Sequence, residues 1–281
     1  MSKGFSADWL ALREPADLAA RDAGLMRELG MALAGRNRPV TIVDLGCGTG
    51  SNLRGLAPHL PAQQSWRLVD HDPALLERAR DSLAAWADFA TEADDEFILG
   101  HGPLRLTVSF RQHDLAADLV GTLGEAPDLV TAAALFDLVS ASTIDRLAEA
   151  VSTRRALFHT ALTYDGQEEW HPPHAADAAM QAAFLQHLAG DKGFGPAAGH
   201  HASRFMAEAF GRHGYRVRTA PSTWRLGPSD GALRSALAAG EADAVAETGF
   251  VARGDIESWR ALRLREGSAM IGHADLLALP P

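Results

Sequence analysis

Cysteine is almost missing from this 281-residue chain, which has one, Cys47. No intrachain disulfide can therefore form. Lysine is nearly as scarce, with Lys3 and Lys192 as its two occurrences, and the basic charge is carried by scattered arginines. Acids outnumber bases, 36 against 26, for a formal net charge of −10. A protein that grips long nucleic acid carries a basic stripe to neutralise phosphates. None is visible, so long nucleic acid is not an expected partner. No apolar run approaches the ~18 residues of a membrane span, so no membrane partner is expected. The start, MSKGFSADWL, lacks the apolar core of a secretory signal, which makes a cytoplasmic protein the expectation. Internal repeats and low-complexity linkers are also missing. What remains is an ordinary globular balance, 47% hydrophobic and 22% charged, with ample material for a core.

The chain is organised around Val40–Asn52, VTIVDLGCGTGSN. A short β-branched run ends in Asp44, as suits a buried parallel strand. Gly46, Gly48 and Gly50 then let the backbone turn tightly and approach a ligand. A helix starting near Ser51 or Asn52 turns its unpaired N–H groups toward that ligand. Cys47 sits inside this loop as a small packing side chain. Spacing narrows the cofactor. A dinucleotide fingerprint needs a third glycine where Ser51 stands, and a P-loop needs a lysine that does not follow. The stretch resembles the first motif of the class I S-adenosylmethionine-dependent methyltransferases, with strand, acid and three glycines together. That resemblance implies S-adenosyl-L-methionine as cofactor, S-adenosyl-L-homocysteine as product, and Asp44, Gly46, Cys47, Gly48, Gly50 and Asn52 around it.

Further elements place the remaining cofactor residues. Trp66–Asp70 reads as a second strand, and Asp72-Pro73 as a helix cap and first-turn proline. An acid ending this strand accepts from ribose hydroxyls in nucleoside folds, which assigns Asp70, with His71 at the adenine edge. A third strand, Leu104–Gln112, leads to His113-Asp114-Leu115, which resembles the family's third motif. Asp114 is then expected at the adenine amino group and the Leu115 N–H at a ring nitrogen, with a plain helix cap as the alternative for Asp114. Residues 8–36 read as a helical cap in which Pro15 marks a helix start. Arg13 and Arg21 lie on it as solvated-face residues or as a forked clamp for a carboxylate, with Arg21 favoured. Residues 91–102 read as a surface excursion.

The fourth strand, Pro127–Ala134, brings Ala132, Ala133 and Ala134 beneath the transferable methyl with no polar cluster. Phe136 reads as core or adenine packing. Ser142 with Asp145 reads as a capping box for a helix over Thr143–Arg154. The [DN]-P-P-[YFW] signature of enzymes methylating exocyclic amines of DNA bases is absent, which again favours a small-molecule acceptor. A fifth strand, Ala156–Thr163, precedes Tyr164-Asp165-Gly166 and Glu168-Glu169-Trp170-His171-Pro172-Pro173-His174. An insertion here hangs over the carboxyl ends of the strands, where ligands of open α/β sheets bind. Tyr164, His171 and His174 are the expected catalytic residues, with Trp170 for stacking and Lys192 as a charge partner. Five histidines (His171, His174, His187, His200 and His201) match no metal-ligand spacing, so no metal is expected.

The expected fold is one α/β domain over residues 1–281. Its seven-stranded, mostly parallel Rossmann-like sheet has an antiparallel last strand and helices on both faces. Helical insertions follow the fifth and sixth strands, at 164–200 and 229–267. Tyr215–Leu226 reads as the sixth strand and Met270–Ala278 as the seventh. The expected activity is methyl transfer to a small molecule. A non-catalytic adenosyl-cofactor module and another adenosyl-cofactor transferase, such as an aminopropyl transferase, stand as alternatives.

Overall fold

The computed structural model describes residues 5–93, 96–265 and 267–281. The chain opens with α1 (Ala7–Ala20) and α2 (Ala23–Leu33), followed by β1 (Val40–Leu45), α3 (Ser51–Leu56), β2 (Gln63–Asp70) and α4 (Pro73–Trp86). Next come β3 (Phe89–Ala93), β4 (Glu96–His101), β5 (Leu104–Gln112), α5 (Leu115–Asp118), β6 (Leu129–Ala133) and α6 (Ala141–Thr153). Then follow β7 (Leu157–His171), α7 (Asp177–Leu188), α8 (Ala202–Arg212), β8 (Arg216–Pro221) and β9 (Trp224–Leu226). The last elements are α9 (Gly231–Thr248), α10 (Arg253–Arg263) and β10 (Ser268–Leu279).

The strands form one sheet in the order β3-β4-β5-β2-β1-β6-β7-β10-β8, with β9 on β10. β5, β2, β1, β6 and β7 are parallel, whereas β10 runs antiparallel to both β7 and β8. The expected seven strands are all present. Among the described residues the count is nevertheless ten, because β3, β4 and β9 are added. Residues 91–93 and 96–102 are thus not a loose excursion, residues 94–95 lying outside the described residues. Phe97 and Leu99 alternate toward the core and pair with Val108 and Leu106 of β5, which gives the segment a buried face.

Two expected helix starts move. Ser6 caps α1, its Oγ accepting from Trp9 N at 3.2 Å, so Pro15 lies inside the helix. Ser140, not Ser142, caps α6.

The larger correction concerns residues 164–171. They are not an insertion but the outer half of β7, because β10 runs beside that strand from Phe158↔Ala278 to His171↔Ser268. β9 pairs with Ala269–Ile271 and widens this outer ribbon. Its inner face carries Tyr164, Trp170, Trp224, Leu226, Ala269 and Ile271, which share a core with side chains of α7, α9 and α10. Trp9, Leu12, Ala16 and Ala20 of α1 pack against the same core. A cap with its own apolar interior therefore stands over the carboxyl ends of β6 and β7, and α1 runs along its side. Among the described residues no helix is long and apolar enough to cross a membrane.

Candidate active site

β1 is buried along nearly its whole length, and it delivers Asp44 and the glycine loop to the carboxyl edge of the sheet. Gly46, Gly48 and Gly50 hold φ of 65°, 53° and 77°, a region that side chains with a Cβ rarely adopt. Cys47 N donates to Val69 O at 3.0 Å and Gly48 N to Asp70 Oδ2 at 2.8 Å. The loop is thus fastened to the end of β2. Asp70 is 6% exposed, and its Oδ1 accepts from Asp72 N at 3.1 Å. A carboxylate has about four acceptor positions, so Asp70 retains capacity for a ligand. His71 Nδ1 lies 3.3 Å from the same carboxylate, with most of its side chain in solvent.

Behind the loop, Arg21 Nη1 donates to Asn52 Oδ1 at 2.9 Å, and Asn52 Nδ2 donates to Asp44 Oδ1 at 2.7 Å. Arg21 Nε and Asp44 Oδ2 are buried without a partner. Burial pushes the Asp44 carboxyl up to about 7, against the pull of Asn52 and Arg21. Arg21, rather than Arg13, is thus the arginine beside Asn52 and Asp44. Arg13 instead binds Asp17 through Nε and Nη2, at 2.9 and 3.1 Å. The Cys47 thiol is buried and its proton affinity raised, as befits packing.

After β5, Asp114 is exposed and caps α5, accepting from Ala116 N at 2.9 Å. His113 N binds Asp70 O at 2.9 Å, its ring meets Asp118 O at 3.0 Å, and Leu115 is buried.

The carboxyl edge of β6 is less bare than its alanines suggest. Ala133 ends β6, and Ala134 (φ 51°) and Leu162 (φ 60°) take left-handed conformations on neighbouring chains. Such non-glycine strain gathers at functional sites. Asp137 follows on the next turn with Oδ1 buried and unpartnered, and burial pushes its carboxyl up to about 6. Tyr164 lies on β7, 9% exposed, with an unpartnered hydroxyl whose ionisation burial suppresses. Its ring meets Phe184 at 6.0 Å and His273 at 6.1 Å. Burial keeps His273 neutral, with a pKa lowered to about 3.

His171 and His174 are not brought to this edge. At ~3.3 Å per residue, His171 lies about 30 Å of strand beyond Ala161, with its ring outside and 2.7 Å from Glu169. Alternation explains its direction: Tyr164 and Trp170 are buried, whereas Gln167, Glu169 and His171 are exposed. His174 accepts from Ala176 N at 3.1 Å, and its Nε2 lies 3.3 Å from Ser258 Oγ, so it fastens the turn before α7 to α10. Lys192 meets only His187, at 3.5 Å. Asp137 and Glu241 escaped the sequence reading. Glu241 had a signal, because it falls on the Leu233, Leu237 and Val245 stripe of α9, where an apolar side chain belongs.

α1 closes the loop from above. A Cβ placed on Gly48 would lie 2.9 Å from Leu10 Cδ1.

No family model and no curated protein sequence matches the chain. Similar folds occur among solved structures. A cyclopropane-fatty-acyl-phospholipid synthase-like protein from Lactobacillus casei is 16% identical, over 99% of this chain and 96% of that one, with a TM-score of 0.51. The cyclopropane synthase MmaA2 of Mycobacterium tuberculosis is 10% identical, over 98% and 94%, with a TM-score of 0.48. An O-methyltransferase family protein from Burkholderia thailandensis is 15% identical, over 95% and 60%, with a TM-score of 0.43. At these identities the likeness is one of fold, and the first of the three carries it across the full chain.

Proposed function

Proceeding from the fold of the class I S-adenosylmethionine-dependent methyltransferases, we propose that this chain transfers a methyl group from S-adenosyl-L-methionine to a small-molecule acceptor. The observation that carries this reading is the glycine loop, whose Gly46, Gly48 and Gly50 hold positive φ and whose Gly48 N–H is held by Asp70 at 2.8 Å. The donor set fits the nucleoside. Asp70 has acceptor positions for ribose hydroxyls, and Asp114 with the Leu115 backbone stands at the adenine end. Arg21 offers a cation for the amino-acid carboxylate, with Asp44 a counter-acid for its ammonium group. His71, Cys47, Asn52, Gly46, Gly50 and Ala133 line the remainder.

When bound, the sulfonium supplies a methyl group that is already electrophilic. The chain's own residues then have three tasks. Ala133 and Ala134 leave room at the strand edge for the acceptor to approach in line, and such orientation supplies up to roughly 7–11 kcal/mol. α1 and the cap exclude water, with Leu10 lying over the loop. Asp137 and Tyr164 stand where an acceptor's polar group would enter. Tyr164 stays in the catalytic role expected of it. Asp137 replaces His171 and His174 as the group to hold the acceptor's proton, because it lies at the strand edge and they do not.

The test is calorimetry with S-adenosyl-L-homocysteine, followed by incubation of the full chain with methyl-labelled donor and a small-molecule extract. Heat of binding that Gly48→Val abolishes, with label in the small-molecule fraction, supports the proposal. Binding without labelled product would make the chain a non-catalytic nucleoside module, and no binding by either measure would remove the reading.

A further inference from the structure

The interior of the cap holds more acid than its cations answer. Glu241 on α9 is 3% exposed, and neither of its carboxyl oxygens has a hydrogen-bond donor. Glu168 on β7 neighbours it. Burial raises the proton affinity of both, and the neighbouring Glu168 raises that of Glu241 further. Two carboxylates cannot donate to one another, so the pair needs a shared proton or an external donor. The Tyr164 hydroxyl lies close enough to feel Glu168, Glu241 and Asp137 together. It is likewise buried and unpartnered, as is Asp137 Oδ1.

The arginines of the region are committed in part: Arg263 favours the ionised forms of Glu168 and Glu241, and Arg263 Nε and Arg234 Nε are buried without a partner. Arg263 is bonded to Asp177 and donates to Pro172 O at 2.6 Å, with its guanidinium over Trp170 and Trp259. Arg234 donates to Arg265 O at 3.3 Å, and Arg13 is held by Asp17. His273 is neutral. Aromatic faces wall the same interior: Tyr164 against Phe184, and Trp224 with its ring 5.0 Å from His273. Among the described residues no group of three or more His, Cys, Asp and Glu has metal-holding geometry, and the aromatic walls suit an organic cation.

We propose that the methyl acceptor is an amine, taken up as its ammonium ion between Asp137, Tyr164, Glu168 and Glu241. This rests on the methyl-transfer reading above. A cation there receives charge-assisted hydrogen bonds and the faces of the aromatic rings. The reaction balances within the site. The ammonium proton passes to a carboxylate of the group, and the freed nitrogen lone pair forms the N–C bond. The C–S bond breaks as that bond forms, and its electron pair stays on sulfur. The product is then already the methylated ammonium, and the proton held by the carboxylate passes to solvent as it leaves.

The experiment is calorimetric titration of the full chain, saturated with S-adenosyl-L-homocysteine, with n-butylammonium chloride and separately with sodium butyrate. The ammonium ion is expected to bind and butyrate to bind at least ~10-fold more weakly, and Glu241→Gln is expected to weaken the ammonium at least ~10-fold. Should Glu241→Gln fail to fold by circular dichroism, Glu168→Gln carries the same expectation. Equal binding of the two probes, no heat with the ammonium, or an affinity untouched by the glutamine variant would overturn the proposal. Repeating the titration without the nucleoside separates the two readings. Ammonium binding through Glu241 in a chain that never binds S-adenosyl-L-homocysteine keeps the amine site and removes methyl transfer. Nucleoside heat without ammonium heat removes only the amine.

Discussion

Arg54 reaches Glu14 with two charge-assisted hydrogen bonds, Nε to Oε1 at 2.8 Å and Nη2 to Oε2 at 2.6 Å. They tie α1 to the helix that leaves the glycine loop, and Arg54 Nη1 also binds the loop itself at Thr49 O, 2.9 Å away. With Leu10 over Gly48, this pair latches a lid. Both side chains are largely buried, so breaking it leaves Arg54 short of partners, at a cost of ~1–3 kcal/mol. Glu14→Gln should therefore speed amide exchange across residues 7–20, and should raise both the association and dissociation rates of S-adenosyl-L-homocysteine. Stopped-flow tryptophan fluorescence measures the rates. An α1 that exchanges no faster would show that the pair is not the latch.

Asp70 fixes the loop through Gly48 N, and in the proposed function it also receives the ribose. Asp70→Ala removes both, and the expected loss in S-adenosyl-L-homocysteine affinity is on the order of 2–3 kcal/mol. Asp70→Asn keeps one oxygen to receive Gly48 N–H, so it should lose less. Calorimetry ranks the three proteins. Equal affinities for wild type and alanine variant would place the ribose elsewhere.

The parts of this molecule that the sequence made legible are local ones. The Val40–Asn52 motif states its strand, turn and helix within thirteen residues, and Asp72-Pro73 fixes the start of α4 by a cap whose oxygen accepts from Ala74 N. The cap over the site is different in kind. Tyr164–His171 reads as polar and broken because Asp165, Glu168 and Glu169 crowd around Gly166, and strand pairing there depends on Ser268–His273, about a hundred residues away. Without that partner in view, the titratable density looked like a loop. The period of two that sends His171 outward and Tyr164 inward was then unavailable as an argument.

Asp137 was passed over for a related reason. It follows Ala132–Ala134 in a stretch that looks apolar, and its importance comes from burial without a partner, which only the fold establishes. Asp275 shows the same dependence. Its two oxygens accept from Leu162 N and Asp22 N, both at 2.9 Å, and so bind the start of α2 to the strained end of the parallel part of β7. Nothing adjacent in sequence announces that role.

Tyr164 permits a test that separates packing from chemistry. Its hydroxyl is buried without a partner, and an unsatisfied buried polar group costs ~1–3 kcal/mol. Tyr164→Phe should therefore leave thermal stability unchanged or raise it. If the hydroxyl meets the acceptor, the same variant should weaken acceptor binding while nucleoside binding is unaffected. Thermal melts and calorimetry with the two ligands give the pattern. A variant that melts lower and binds everything as before would mean that the hydroxyl serves only the fold.

Asp44 offers a stability test that needs no ligand. Its carboxyl titrates at about 7 in the folded chain and near 3.8 in the unfolded one, because burial outweighs the help of Asn52 and Arg21. The folded state then binds more protons than the unfolded state between those values. Linkage fixes the sign: this group's contribution is fully present below about pH 4 and is lost as pH rises through about 7. One carboxyl of this kind gives a slope of at most ~1.4 kcal/mol per pH unit across the window. Asp137, at about 6, adds to it in the same direction. Asn at position 44 keeps an oxygen to accept from Asn52 Nδ2 and no longer titrates. Urea melts of wild type and Asp44→Asn from pH 4 to 8 should therefore diverge in slope, the variant losing less stability as pH rises. Its advantage should be largest above pH 7, where the wild-type protein must hold a buried carboxylate. Parallel pH profiles for the two proteins would mean that Arg21 already keeps Asp44 ionised throughout.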